Sequence, residues 1–310
     1  MGKHYGKHGA FISYYSIIKG VNKYKNNFSK PYMSEIYKNV LHRFSEKIKP
    51  TQEIKFYEGT NKVAVIVDPR YDALTEAVIR QHMFFLNPRG WNLMVVSHST
   101  NVGKIRADFP NCIFAEIDEA LVYYKNGKPN ITIDGYNRIF LSPHFWLALP
   151  AENIFVFQTD CFMYKMFDEK FLECDFVGAL SVLFVSENNN QHVISNGGFS
   201  LRKKTAMLES LKRFSFIQLY KDLYQSISEQ KMNIINPHNL GKKNEDVFFS
   251  LACKNRLEHN IQSEFAVEAE YNFDAAGHHG WNKSYHTREQ VLEILSTNPN
   301  YKDLLENLST

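Results

Sequence analysis

Short β-branched segments that alternate with amphipathic helical segments constrain this chain more than any other feature. The run VAVIV at Val63–Val67 has the continuous apolar character of a strand buried in a parallel sheet. A helical stripe follows it, formed by Leu74, Val78, His82 and Leu86. Strand and helix patterns recur about 25–35 residues apart, as in βαβ units, and predict an α/β fold whose mostly parallel central sheet is flanked by helices. Further strands are predicted at Trp91–Val96, Ile113–Ile117 and Ile154–Phe157.

This alternation begins only after residue 60, and it divides the chain into two regions. Residues 1–60 show weak periodicity and are expected to be an N-terminal extension, helical over Tyr32–Ile48. Residues 61–310 are expected to form one domain, because a chain of 310 residues with 44% hydrophobic content can build a single large core. The polar segment 186–192 is expected to be a surface loop.

Charge and hydrophobicity argue against several classes of protein. The 36 Lys and Arg residues nearly balance 33 Asp and Glu residues, whereas a dedicated nucleic-acid binder carries a concentrated basic excess. The longest apolar stretch, Phe176–Val185, is shorter than the about 20 residues that a membrane-spanning helix needs. The 4 cysteines form no C-x-x-C pair and are expected to be reduced thiols. With no recognisable signal peptide, these features predict a soluble cytoplasmic protein without a nucleic-acid partner or a membrane span.

The first candidate site follows the strand at Ile154–Phe157, which runs directly into Thr159 and Asp160. Ligands of open parallel sheets bind beyond the carboxyl ends of the strands. A carboxylate at that place can hold Mn²⁺ or Mg²⁺ against a diphosphate, because hard cations prefer oxygen ligands. Alternatively, Asp160 caps a helix at Phe162–Phe167. The segment alone leaves both interpretations open.

Two further polar segments have the same ambiguity. In Asn196-Gly197-Gly198 the glycines allow the backbone to approach a ligand and the amide can bind a sugar hydroxyl, although a simple β-turn is the favoured explanation. Glu245 and Asp246 begin an apolar helix, where carboxylates favour the positive end of the helix dipole. A positioned aspartate there can also act as a general base on a hydroxyl group.

Adjacent histidines lie between glycines in the segment GHHGW, and we expect a flexible loop there. One imidazole of His278 or His279 can share a metal ion with Asp160, although most histidines have a structural role. The chain contains no P-loop, no G-x-G-x-x-G and no G-x-S-x-G motif, which argues against ATPases, dinucleotide oxidoreductases and α/β-hydrolases.

Eight segments taken in order give the chain a specific resemblance. From about Lys62 to Lys283 it resembles the DUF5672 family of uncharacterised, glycosyltransferase-like proteins. The segments that carry the resemblance are VAVIVDPR, RGWN, SPHFW, IFVFQTDC, CDFVGA, NGGFSLR, NEDVFFS, and FAVE followed by GHHGW.

The resemblance implies a GT-A-like fold that binds a nucleotide-sugar donor at the carboxyl edge of its sheet. In such enzymes an Asp-x-Asp motif after a central strand holds a divalent metal ion. Here the corresponding residues are Gln158-Thr159-Asp160, so only the final aspartate is present. The expected cofactor is Mn²⁺ or Mg²⁺, and the expected ligands are Asp160 with His278 or His279.

The resemblance also implies a role for each candidate residue. Asp246, with Glu245 beside it, would face the acceptor as the catalytic base, and such a base favours inversion at the anomeric carbon. Residues expected to bind the nucleotide sugar are Asp68, Arg70, Ser97, His98, Thr159, Asp160, Asn196, Gly197 and Gly198.

The predicted function is transfer of a hexose from a UDP- or GDP-sugar to a hydroxyl group of a glycan, protein or lipid. One alternative is a sugar nucleotidyltransferase, although the glycine-rich basic loop usual in that class is absent after the first strand. Another is a GT-A-like binding module without turnover, which the missing first aspartate of the metal motif favours. The Glu245-Asp246 pair and the double histidine argue against that alternative.

Overall fold

One mixed sheet of nine strands organises the molecule. A computed structural model describes residues 30–185, 191–219, 244–255, 257, 259–268, 271–281 and 288–305. The strands of the large sheet are β1 (Lys62–Val67), β2 (Asn92–Ser97), β3 (Ile113–Glu116), β6 (Asn153–Phe157), β7 (Cys161–Met163), β8 (Phe176–Val185), β9 (Gln191–Lys203), β10 (Ala266–Val267) and β11 (Gly277–His279). A separate hairpin consists of β4 (Val122–Lys125) and β5 (Lys128–Ile131).

The sheet order is β3-β2-β1-β6-β9-β8-β10-β11-β7. Parallel pairs join β3 to β2, β2 to β1, β1 to β6, β8 to β10 and β10 to β11. Strand β9 runs antiparallel to both β6 and β8, and β7 runs antiparallel to β11. The predicted α/β fold with a mostly parallel sheet is therefore confirmed.

Helices cover the sheet at the positions that the apolar stripes predict. Asp72 accepts a hydrogen bond from the Thr75 amide and so caps the first long helix after β1. Gly90 adopts a left-handed φ of 81° beyond the end of that helix and its short 3₁₀ extension. No described helix has the length and hydrophobicity needed to cross a membrane. The helices within the described residues are α1 (Lys30–Ile48), α2 (Ala73–Leu86), α3 (Val102–Asp108), α4 (Ile133–Phe140), α5 (Pro143–Ala148), α6 (Lys204–Arg213), α7 (Glu245–Ala252), α8 (His259–Phe265) and α9 (Arg288–Thr297).

Strand β1 shows why a continuous apolar run is needed at the centre of the sheet. Successive side chains of a strand point to opposite faces. Ala64 and Ile66 therefore belong to the hydrophobic cluster on one face, and Val63, Val65 and Val67 belong to the cluster on the other. Both faces of the central strand are buried by helices and connecting segments.

Helix α1 packs into the same core as the sheet. Its residues Tyr37, Val40, Leu41 and Phe44 are buried, and they join the cluster on the face of Ala64 and Ile66. The described part of the segment before residue 61 is thus not packed as a separate unit. The remainder of the expected N-terminal extension, residues 1–29, lies outside the described residues.

Two local predictions were wrong because strand pairing overrode local patterns. No helix forms over Phe162–Phe167, because Cys161–Met163 pairs with β11 as a strand. The double histidine lies in β11 rather than in a flexible loop. Most of the polar loop expected at 186–192 lies outside the described residues.

Candidate functional site

A cleft of about 710 Å³ opens at the carboxyl ends of β1 and β6. It receives residues that are far apart in the sequence, because both strands end there and because the N-terminus of α7 and part of β9 border the same space. Of the predicted site residues, the cleft brings together Asp68, Arg70, Thr159, Asp160, Asn196, Gly197, Gly198, Glu245, Asp246 and His279.

Asp246 has the properties of a base that works near neutral pH. It lies in the first turn of α7, and its Oδ1 accepts a hydrogen bond from the Val247 amide at 2.8 Å. Burial, and secondly the negative charge of Glu245, raise the pKa of Asp246 from 3.8 to about 7. A carboxylate with this pKa can accept a proton from a hydroxyl group and remain partly ionised at neutral pH.

Glu245 is not available as a second base. Its two carboxylate oxygens accept hydrogen bonds from Nη1 and Nη2 of Arg202 at 2.6 and 3.0 Å. Both side chains are almost fully buried, and the Glu245 amide donates to Asn137 Oδ1 at 3.1 Å. We therefore no longer expect Glu245 to act as a catalytic residue, since its oxygens already accept hydrogen bonds from the guanidinium group.

The guanidinium of Arg202 is enclosed by aromatic rings as well as by Glu245. Its central carbon lies 4.9 Å from the ring centroid of Phe140 and 5.1 Å from that of Phe176, with two further rings at 5.8 Å. Nε donates to Ser200 Oγ at 2.8 Å, and Nη2 also donates to the Gly197 carbonyl at 3.0 Å. Cation–π contacts and charged hydrogen bonds together compensate the burial of this cation.

Another part of the cleft, around Asp160 and His279, contains candidate metal ligands. His279 Nε2 lies 3.5 Å from Asp160 Oδ1 and 3.2 Å from Gln158 Oε1, so these atoms can approach one cation together. Asp160, Cys161 and His279 form the one group of three potential ligands found among the described residues. The other ring nitrogen of His279, Nδ1, lies 3.5 Å from Glu268 Oε1 and makes no hydrogen bond to the described residues. These residues fit a divalent transition-metal ion.

His278 points away from this group. Adjacent residues of a strand face opposite sides, so β11 can direct only one of its two imidazoles at Asp160. The ring nitrogens of His278 lie 3.1 Å from the Tyr37 hydroxyl and 3.2 Å from the Glu268 carbonyl oxygen. We therefore remove His278 from the expected ligands and assign it to the packing of α1.

Asn196, Gly197 and Gly198 form an irregularity within β9 and not the β-turn that the sequence favoured. Consecutive residues Gly178 and Ala179 of β8 pair with Ser200 and Asn196 of β9, so the intervening backbone bulges. A Cβ atom at position 197 would collide with Glu245. A Cβ atom at position 198 would collide with His279 and would lie 2.5 Å from Gln158 Oε1. The lack of side chains at these two positions therefore leaves space for Glu245 beside Gly197 and for His279 and Gln158 beside Gly198.

Gly198→Ala is expected to weaken Mn²⁺ binding by at least about tenfold, because the added methyl group displaces His279 and Gln158. Isothermal titration with MnCl₂ in the absence of nucleotide measures the effect. The matched control is Gly103→Ala in α3, where nothing lies within 4 Å of the added methyl group. Equal Mn²⁺ affinity in wild type and Gly198→Ala would contradict the role of His279 as a ligand.

Ser97 and His98, which were expected to bind the nucleotide, are not among the residues that line the cleft. The Ser97 hydroxyl is buried and accepts a hydrogen bond from Asn101 at 3.1 Å. His98 lies 2.7 Å from the Thr100 hydroxyl and 2.8 Å from Glu119. The His98 side chain connects the end of β2 to the segment before β4, which is a structural role.

Several residues that line the cleft or lie beside it were not predicted as site residues. Gln158 lines the cleft with its Oε1 3.2 Å from His279 Nε2, although the sequence marked it only as the position of the missing aspartate. Arg202 lies within the NGGFSLR segment, but its partner Glu245 is 43 residues away in the sequence. Glu268 reaches His279 from beyond β10. Further lining residues that sequence reasoning did not identify are Ser34, Lys38, Tyr136, Asn137 and Trp281.

Comparisons with known proteins place this geometry in context. The family model described as "Protein of unknown function (DUF5672)" matches residues 125–286, a range that contains Asp160, Asp246 and His279 and begins after β3. No curated protein matches the chain. A solved structure similar to it is the apo-form glycosyltransferase GlyE of Streptococcus pneumoniae TIGR4, with 13% identity and a TM-score of 0.35. The match covers 81% of this chain and 61% of that one, and a TM-score this low does not bear on function.

Proposed function

The chain belongs to the DUF5672 family, and we propose that its cleft has a glycosyltransferase activity. The proposed reaction transfers a hexose from a UDP- or GDP-sugar to a hydroxyl group of a glycan, protein or lipid acceptor. Asp246 is the proposed general base. Asp160 and His279 are the proposed ligands of a divalent metal ion, with Mn²⁺ preferred over Mg²⁺ because imidazole suits transition metals better.

One observation carries this proposal: two consecutive glycines separate the proposed base from the proposed metal ligands. Position 197 faces Glu245 and Asp246, and position 198 faces His279 and Gln158. Adjacent residues of a strand advance by about 3.3 Å. A sugar lying over the two glycines would therefore have a carboxylate on one side and candidate metal ligands on the other, as group transfer between two substrates requires.

The proposed mechanism is a single displacement. Asp246 accepts the proton of the acceptor hydroxyl, and the acceptor oxygen forms a bond to the anomeric carbon while the bond to the donor diphosphate breaks. The configuration at that carbon inverts. Asp160 and His279 would hold a divalent cation, which would supply Lewis-acid stabilisation of the negative charge on the departing diphosphate. Asn196, whose Oδ1 accepts from the Gly198 amide at 2.7 Å, orders the backbone beneath the sugar.

A thermal-shift screen against UDP, GDP, CMP and their sugar conjugates, with and without Mn²⁺, tests the proposal. Ligands that bind the native state raise Tm by mass action, so one nucleotide should give a Mn²⁺-dependent shift. Asp160→Ala should abolish the Mn²⁺-dependent part, whereas Asp303→Ala, at an exposed position outside the cleft, should retain it.

Activity assays with the nucleotides that bind, together with the screen, discriminate between the alternatives. Binding of a nucleotide sugar without transfer of its sugar to any acceptor would support the binding-module alternative. Release of pyrophosphate from a nucleoside triphosphate and a sugar phosphate would support a nucleotidyltransferase. No shift with any nucleotide in a folded sample would overturn the proposed donor class.

A further inference from the structure

Helix α1 supplies one wall of the cleft, although it lies outside the residues that the family model matches. Ser34 and Lys38 are four residues apart and therefore lie on the same face of the helix. Both line the cleft, while Tyr37 and Leu41 on another face are buried in the core. Because its core contacts hold α1 in place, they also determine where Ser34 and Lys38 lie at the cleft.

Lys38 is an unusual cation for this cleft because its charge is not committed to a partner. The guanidinium of Arg70, which also lines the cleft, is held by both carboxylate oxygens of Asp68 at 2.9 and 2.8 Å. Lys38 is exposed and makes no ion pair or side-chain hydrogen bond within the described part of the chain. An ammonium group without a protein partner can form charge-assisted hydrogen bonds to an anionic ligand.

Trp281 adds a second, independent donor to the same wall. It lines the cleft, is 2% exposed, and its indole Nε1 has no hydrogen-bond partner among the residues that the structure describes. An indole N–H can only donate, so its natural partner is an acceptor oxygen. The Trp281 ring lies 5.7 Å from the ring of Tyr37, the neighbour of Lys38 in α1. The Trp281 amide donates to the Asp160 carbonyl at 3.2 Å, which places this wall beside the candidate metal ligands.

We propose that Lys38, with the hydroxyl of Ser34 and the indole N–H of Trp281, forms a binding subsite for the diphosphate of a nucleotide ligand. All three groups can donate hydrogen bonds to phosphate oxygens, and the ammonium group adds the positive charge that a diphosphate requires. This subsite rests on the proposed function for the identity of its ligand.

Inorganic pyrophosphate and UDP or GDP, titrated into the full chain by calorimetry, test the subsite. Lys38→Gln is expected to weaken pyrophosphate and nucleoside diphosphate binding by about tenfold and to leave binding of the unphosphorylated nucleoside unchanged. Lys38→Arg should restore most of the affinity. Lys47→Gln, which removes an exposed lysine of the same helix outside the cleft, is the matched control and should bind like wild type.

The outcomes separate the subsite from the proposed function. Equal pyrophosphate affinity in wild type and Lys38→Gln, or no pyrophosphate binding by folded wild type, would overturn the subsite. Pyrophosphate binding that depends on Lys38, in a protein that transfers no sugar, would support the subsite and count against the transferase. A nucleoside diphosphate that binds equally well to Lys38→Gln would overturn the subsite and leave the transferase standing.

Discussion

Asp246→Asn is expected to lower the rate of glycosyl transfer by about 10²–10⁴-fold, because an amide cannot accept the proton of the acceptor hydroxyl. Affinity for the nucleotide donor should change little, since Asp246 adjoins Gly197 whereas the proposed metal ligand His279 adjoins Gly198. Transfer by wild type should rise with pH through about 7, as Asp246 ionises. A radiolabelled-sugar transfer assay at several pH values measures both effects.

The same substitution has a consequence that needs no substrate. The pKa of Asp246 is raised from 3.8 to about 7, so ionising this group in the folded protein costs stability. That cost is absent below about pH 4, grows as the pH rises to about 7, and is constant above it. Asn resembles the protonated form, so Asp246→Asn should raise Tm more at pH 8 than at pH 4.5. A fully active variant would contradict the proposed role of Asp246 as the base. A Tm difference that does not depend on pH would contradict its raised pKa.

Arg202→Met is expected to destabilise the protein by about 3–5 kcal/mol, the cost typical of leaving one member of a buried ion pair without its partner. The substitution leaves the carboxylate of Glu245 buried without its guanidinium, and it removes the hydrogen bond to the Gly197 carbonyl. The double variant Arg202→Met, Glu245→Gln should recover part of the loss, because the unpaired charge is gone. Chemical denaturation monitored by fluorescence measures these differences.

An exposed ion pair provides the control for Arg202. Arg138 and Asp134 lie four residues apart in α4, and their side chains are 69% and 65% exposed. Solvent screens such a pair, so Arg138→Met should cost less than about 1 kcal/mol. If Arg202→Met were no more destabilising than Arg138→Met, the expected contribution of the buried Arg202–Glu245 pair to stability would be contradicted.

The strand–helix order was predictable because it depends on local patterns. Val63–Val67 and Ile154–Phe157 are apolar runs that need burial on both faces, and a parallel sheet is the structure that provides it. The residues after β6 could be placed at the carboxyl edge for the same reason. Asp160 was therefore predictable as a cleft residue, whereas the conformation of Cys161–Met163 was not, since this strand exists only through its pairing with β11.

The choice between the two histidines was also beyond local patterns. Alternation along a strand directs one ring at Asp160 and the other at Tyr37, but the register with β7 decides which is which. The same limit applies to Glu245 and Asp246. Adjacent carboxylates look equivalent in the sequence. Only the ion pair with Arg202, which comes from β9, distinguishes Glu245 from Asp246.

The sequence by itself determined the α/β class, the strands that end at the cleft, and the residue types found there. It did so because apolar periodicity and the position of polar residues after strands are properties of short segments. Only the tertiary structure decided that Lys38 of α1 lines the cleft, and that two glycines separate Asp246 from His279. These relations depend on distances between distant parts of the chain, and short-range patterns do not contain them.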